Sequence, residues 1–183
     1  MQNEECRMKN ERLRMLIAVC IFHFAFCISV RAEVIDRVLA VVSGDLITLS
    51  DVTAARDLGL QSADGAADPT RAILSKLIDR ELVLAEAERY GPPEPTREAV
   101  DAEVLAVRAR FPSAEAYQAA LARSGIDEAH LRETLRQDLR IRAYEDQRFA
   151  SAGERRQALV AEWIASLRRR AAISDLYVVA PKS

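Results

Sequence analysis

Cysteine, histidine and glycine are scarce in this chain of 183 residues, and their scarcity excludes several kinds of site. All three cysteines lie within residues 6–27, and beyond them His130 is the single histidine. Residues 28–183 therefore lack thiol nucleophiles, Cys–His pairs and multi-histidine zinc sites. The six glycines are scattered over predicted turns, so the sequence contains no glycine-rich phosphate loop. We predict no catalytic residue, no metal and no cofactor, and we interpret His130 as a solvated helix residue.

The N-terminus has the composition of an export leader. Met1–Met15 is polar and carries arginine and lysine, Leu16–Val30 is largely apolar, and Ala32 occupies the −1 position of a cleavage site. As a helix, the apolar segment would span about 22 Å, which is shorter than the roughly 30 Å hydrocarbon core of a bilayer. We predict a cleaved signal peptide, with the cut between Ala32 and Glu33 and no membrane span afterwards. An uncleaved anchor is the alternative.

Without the leader of residues 1–32, residues 33–183 are predicted to form one mildly acidic domain, long enough to bury a core. The leader holds five of the 26 basic and three of the 28 acidic side chains, which leaves a formal charge of −4. Nucleic-acid-binding domains are usually basic because neutralising phosphates drives their affinity, so we predict no nucleic-acid partner. One predicted helix carries Asp79, Glu81, Glu86 and Glu88, which we interpret as the ordinary carboxylates of a charged helix and not as a paired acid and base.

Short β-strands are predicted at both ends of this domain. Within Glu33–Asp51, a near-continuous apolar run is followed by the turn Ser43-Gly44-Asp45, a second β-prone run and the helix-capping pair Ser50-Asp51. The capped helix is expected to run to about Leu60. Ile173–Val179 is also β-prone, and an isolated strand needs partners. We therefore expect it to pair with the N-terminal strands.

The middle of the chain is predicted to be helical. Capping residues followed by apolar residues at helical spacing mark the helix starts at Asp68, Thr96, Ser113 and Asp127. Four further helices are placed in this way: Pro69–Tyr90, Arg97–Arg110, Ala114–Arg123 and a long helix from Asp127, followed by Glu154–Arg170. The predicted fold class is mainly α with a small β-sheet, in which two N-terminal strands and a C-terminal strand pack with about five to six helices.

Large apolar side chains are the candidates for a binding surface. Helical hairpins often leave a groove whose apolar lining can receive an extended or helical peptide. The predicted substrate-binding residues are Phe111, Tyr117, Leu121 and Trp163. Burial in the core is the alternative at each of these positions.

Several motifs carry a family resemblance. Val34–Asp51 closely resembles the opening of the mature N-terminal domain of SurA-type periplasmic chaperones, with Ser43 where asparagine is usual. Leu74–Leu84, followed by Ala87 and Gly91, is similar to the central helix of that family. Later matches occur in the same order, including Tyr117, Leu121 and Gly125 at spacings of four.

The resemblance implies the mainly helical chaperone fold shared by SurA and the C-terminal region of trigger factor, and a periplasmic location. Family members usually carry parvulin-type prolyl isomerase modules after the long helix, where Phe149–Gly153 here joins two helices directly. The expected function is therefore non-enzymatic binding of unfolded or partly folded envelope proteins, outer-membrane proteins included. The alternatives are an assembly subunit with one fixed partner and a degenerate prolyl isomerase. The oligomeric state stays open, a homodimer included.

Overall fold

The computed structural model describes residues 36–178, which form a three-stranded antiparallel sheet packed against six helices. This architecture confirms the predicted mainly α fold with a small sheet. The predicted leader, its cleavage site and Val179 lie outside the described residues.

The sheet joins the two ends of the described region. Its strands are β1 (Val38–Val42), β2 (Asp45–Thr48) and β3 (Ile173–Asp175), in the order β2-β1-β3. Ser43 and Gly44 form the turn between β1 and β2 with φ of 55° and 108°, which is the left-handed backbone that tight hairpin turns require. The predicted pairing of the chain ends is confirmed.

The C-terminal strand is shorter than expected, since it ends at Asp175 and not at Val179. Leu176 N–H still donates to the Leu39 carbonyl at 2.9 Å. The chain then leaves the sheet, and the Tyr177 hydroxyl lies 3.1 Å from a carboxylate oxygen of Asp68. A hydrogen bond to another element therefore replaces further pairing with β1.

Six helices follow or separate the strands. They are α1 (Leu49–Asp57), α2 (Pro69–Tyr90), α3 (Arg97–Arg108), α4 (Ala114–Ser124), α5 (Glu128–Arg148) and α6 (Arg156–Arg170), with a short 3₁₀ turn at Gly153–Arg155 before α6. The four predicted N-caps are confirmed, since each of these side chains accepts the N–H three residues ahead.

The predicted cap of the first helix is wrong. Thr48 is its N-cap instead of Ser50, because the Thr48 side chain and Asp51 satisfy each other's backbone N–H groups in a capping box. Asp51 is thus the third residue of the helix. The helix also ends at Asp57 and not near Leu60.

Two apolar clusters hold the helices together. The sheet cluster contains β1, β2 and α2 residues with Tyr144 and Trp163. The helical cluster joins α1, α3, α4 and α5, with Leu58, Tyr117 and Leu131 almost fully buried. Helix α2 buries eight residues and lies at the centre of the fold, as its wide apolar surface predicted. Across residues 36–178, the helices lack the combination of length and apolar composition that a membrane crossing needs.

Candidate functional site: an acidic groove

A groove of about 640 Å³ opens between β2, α1, α2 and α5. Its lining residues recur every three or four positions along the two long helices, so each helix presents one face to it. On α2 these residues are Leu77, Arg80, Glu81, Leu84, Ala85 and Glu88. On α5 they are His130, Glu133, Thr134, Gln137 and Asp138.

The floor of the groove is apolar and continuous with the core. Ile47 is 3% exposed, Leu77 9% and Leu84 6%. Leu46, the residue before Ile47 on β2, is 59% exposed. Among these four residues, the apolar surface that a bound chain could cover is therefore mainly that of Leu46.

The rim is strongly acidic. Within the described part of the chain, seven carboxylates line the groove: Asp36, Asp45, Asp51, Glu81, Glu88, Glu133 and Asp138. The basic side chains among the lining residues are Arg80 and His130. The His130 ring, with half its side chain exposed, places Nε2 3.6 Å from an Asp51 carboxylate oxygen.

Arg80 ties α2 to α5 at the base of the groove. Its Nε donates to Asp138 at 2.6 Å and its Nη1 to Glu81 at 2.6 Å. Its Nη2 donates to the Gln137 side chain at 2.9 Å and to the Thr134 carbonyl at 3.1 Å. Burial opposes the charge of Arg80, but the two carboxylates outweigh it and raise its pKa. Arg80 thus stays charged and neutralises two of the carboxylates.

The pKa values of two lining carboxylates shift in opposite directions. Burial raises the pKa of Glu81 more than Arg80 lowers it, and Asp45 and Asp51 add to the rise by repulsion. The pKa of Asp36 is lowered, because hydrogen bonds from Ser50 and Thr48 outweigh the effect of burial.

On α5, the hydrogen bond from Arg136 lowers the pKa of Glu133. The Arg136 Nη2 to Glu133 Oε1 distance is 2.6 Å. Glu133 is therefore an ionised but locally paired member of the rim.

The sequence-predicted binding residues lie elsewhere and do not form one site. Phe111, Tyr117 and Leu121 belong to the helical cluster, where Tyr117 is 2% and Leu121 4% exposed. Trp163 is 8% exposed in the sheet cluster, with its ring 5.6 Å from that of Phe149. None of the four predicted residues lines the groove formed within residues 36–178. Their part in substrate binding stays a prediction, and it would require buried side chains to become accessible.

Sequence reasoning missed the groove because its residues look like an ordinary charged helix surface. Glu81 is one of these residues, and its side chain is 20% exposed and paired with Arg80. One signal was available: Leu77, Glu81 and Leu84 share a helical face. An acidic residue on an apolar stripe indicates a polar contact within the fold.

The arrangement supports binding by apolar contact and charge. In residues 36–178, no group of three or more histidine, cysteine, aspartate or glutamate side chains is arranged to hold a metal ion.

The sequence matches the family described as the SurA-like N-terminal domain over residues 6–145. This match covers more than half of the chain and includes every residue that lines the groove. No curated protein matches the chain. The family is that of a periplasmic chaperone domain, which indicates a chaperone-like role. The chain belongs to the SurA-like N-terminal domain family.

Proposed function

We propose that this protein is a periplasmic chaperone-like domain that binds unfolded or partly folded envelope proteins, including outer-membrane proteins. The observation that carries the proposal is the open groove with an apolar floor, in a domain of the SurA-like family. The location rests on the family and on the predicted leader.

Binding would consist of reversible burial of client side chains against the groove floor. Each client side chain that becomes fully buried contributes roughly 1.5–3 kcal/mol. Ordering the client backbone costs roughly 1–2 kcal/mol per residue, so a short segment binds weakly and leaves readily. Such binding needs no nucleotide, metal or covalent step. Release then follows when the client folds or passes to another partner.

Leu46 provides the test, because it is exposed and its replacement removes no core contact of comparable size. Protein purified from cells that express the full chain is added to several unrelated unfolded proteins, and aggregation is followed by light scattering. We expect the native protein to suppress aggregation of more than one of them, and Leu46→Ser to suppress it less. Leu105→Ser is the matched control, since Leu105 is 62% exposed on α3 and lies outside the groove.

The same preparation separates the alternatives. Failure to suppress any aggregation, together with tight binding to one folded protein, would favour an assembly subunit. Prolyl-peptide isomerisation well above the uncatalysed rate would favour the degenerate isomerase. Equal activity of the Leu46→Ser variant and the native protein would remove the groove from the proposal.

A further inference from the structure

We propose that the acidic groove selects client segments in which lysine or arginine lies next to apolar residues. This inference rests on the proposed function and adds the chemistry of the preferred client. The occupant is an extended stretch of an unfolded protein chain, with its apolar side chains on the groove floor and its cationic side chains on the rim.

The first argument is the unbalanced charge of the rim. Arg80 compensates Glu81 and Asp138. Three other lining carboxylates lie on the β2–α1 side: Asp36, Asp45 and Asp51. In the region from 36 to 178, neither Asp36 nor Asp45 forms an ion pair, and the partner of Asp51 is His130. A cationic client side chain would supply the missing countercharge.

The second argument is that apolar and acidic surfaces are adjacent. Exposed Leu46 lies between Asp45 and the buried Ile47 on one short strand. An apolar client side chain beside Leu46 would bring its immediate sequence neighbour close to Asp45, because consecutive residues of an extended chain lie roughly 3.3 Å apart and point to opposite faces, as Leu46 and Asp45 do. Lysine and arginine also suit this position because their stems cover apolar surface while their charged ends stay solvated.

The third argument is size. The α2 face from Leu77 to Glu88 extends for about 16 Å along the helix axis. That length accommodates roughly five residues of extended chain. The groove therefore fits a short extended segment in which two or three alternate side chains contact the floor. Exposed stretches of unfolded proteins take such an extended form.

The test compares two peptides with the same leucine and phenylalanine residues, one flanked by lysine and one by glutamate. Affinities for the full-chain protein are measured by fluorescence anisotropy at low salt. We expect the lysine peptide to bind roughly threefold to tenfold more tightly, since exposed charge pairs contribute modestly. The preference should shrink at high salt, because exposed charges are screened.

Two variants test whether the charge preference arises at the groove. Asp45→Lys should weaken binding of the lysine peptide and strengthen binding of the glutamate peptide, whereas Glu162→Lys, an exposed site on α6, should change neither. Equal affinities for the two peptides, or equal effects of the two variants, would overturn the inference. So would spermidine binding as tightly as the lysine peptide, because a small cation site would then suffice.

The outcomes also separate the inference from the proposed function. Aggregation suppression without a charge preference overturns the inference and leaves the chaperone proposal standing. If the native protein neither suppresses aggregation nor binds either peptide, both the chaperone proposal and the inference are overturned.

Discussion

Replacing Arg80 with methionine at the base of the groove should destabilise the domain, because the change leaves two partly buried carboxylates in place. The Arg80 side chain is 11% exposed, and its removal leaves Glu81 and Asp138 without their countercharge. Removing one partner of a buried ion pair costs about 3–5 kcal/mol. The carboxylates here are 20% and 28% exposed and keep some hydration. We therefore expect a loss of about 2–4 kcal/mol in the free energy of unfolding, out of a total of about 5–15 kcal/mol.

Urea unfolding followed by circular dichroism at pH 7.5 measures this loss. With an m-value of about 2 kcal/mol/M, the midpoint should fall by roughly 1–2 M. Arg169→Met is the matched control, because Arg169 is exposed at the end of α6 and its loss should change stability by less than about 0.5 kcal/mol. Adding Glu81→Gln and Asp138→Asn to Arg80→Met should recover part of the loss, since no buried charge is then left unpaired.

The destabilisation by Arg80→Met should also depend on pH. Burial raises the pKa of Glu81 in the native fold, and loss of Arg80 raises that pKa further. A carboxyl whose pKa is raised on folding destabilises the fold when it is ionised, so the penalty grows as pH rises through that pKa and disappears below the unfolded value. The gap between native and variant proteins should therefore narrow at pH 4. A loss below about 1 kcal/mol, or a gap independent of pH, would refute the reasoning.

Three smaller changes test other parts of the fold by urea or thermal unfolding. Tyr117→Phe removes a buried hydroxyl that lies near Arg108 but makes no well-oriented hydrogen bond among the described residues, so stability should stay unchanged or rise by up to about 1 kcal/mol; a loss of more than about 1 kcal/mol would show that the contact with Arg108 matters. Gly91→Ala should cost about 1 kcal/mol because Gly91 ends α2 at φ of 61°, with open space around an added Cβ; an unchanged melting temperature would contradict this cap. Burial raises the pKa of Glu145, so Glu145→Gln should stabilise the domain at pH 7.5 and much less at pH 4; the reverse order would contradict it.

Local signals predicted most of the fold. Asp68 followed by Pro69 placed the start of α2, and the cap residue Ser113 placed the start of α4, because the chemistry of a cap involves only the next three residues. Thr48 was missed because two overlapping cap candidates lie within three residues. Resolving them required knowing that Leu49 N–H donates to the Arg37 carbonyl, a contact set by strand pairing.

The groove could not be predicted in the same way. Its residues come from β2, α1, α2 and α5, and its key contact, from Arg80 to Asp138, joins positions 58 residues apart. Large apolar residues such as Tyr117 and Trp163 looked like binding candidates, but the fold uses them to fill the two clusters. A large apolar side chain can either bind a client or fill the core, and the spacing of such residues in the sequence does not distinguish these two roles.

The sheet order has a consequence for how the chain acquires its structure. The central strand β1 is flanked on one side by β2 and on the other by β3, with Val42 opposite Ile173. During synthesis, one edge of β1 therefore lacks its partner until nearly all of the described chain has been made. Exposed strand edges pair readily with other chains, and such distant contacts form late in folding. A protein proposed to protect unfolded chains is therefore itself incompletely folded during synthesis, with one edge of β1 unpaired until β3 has been made.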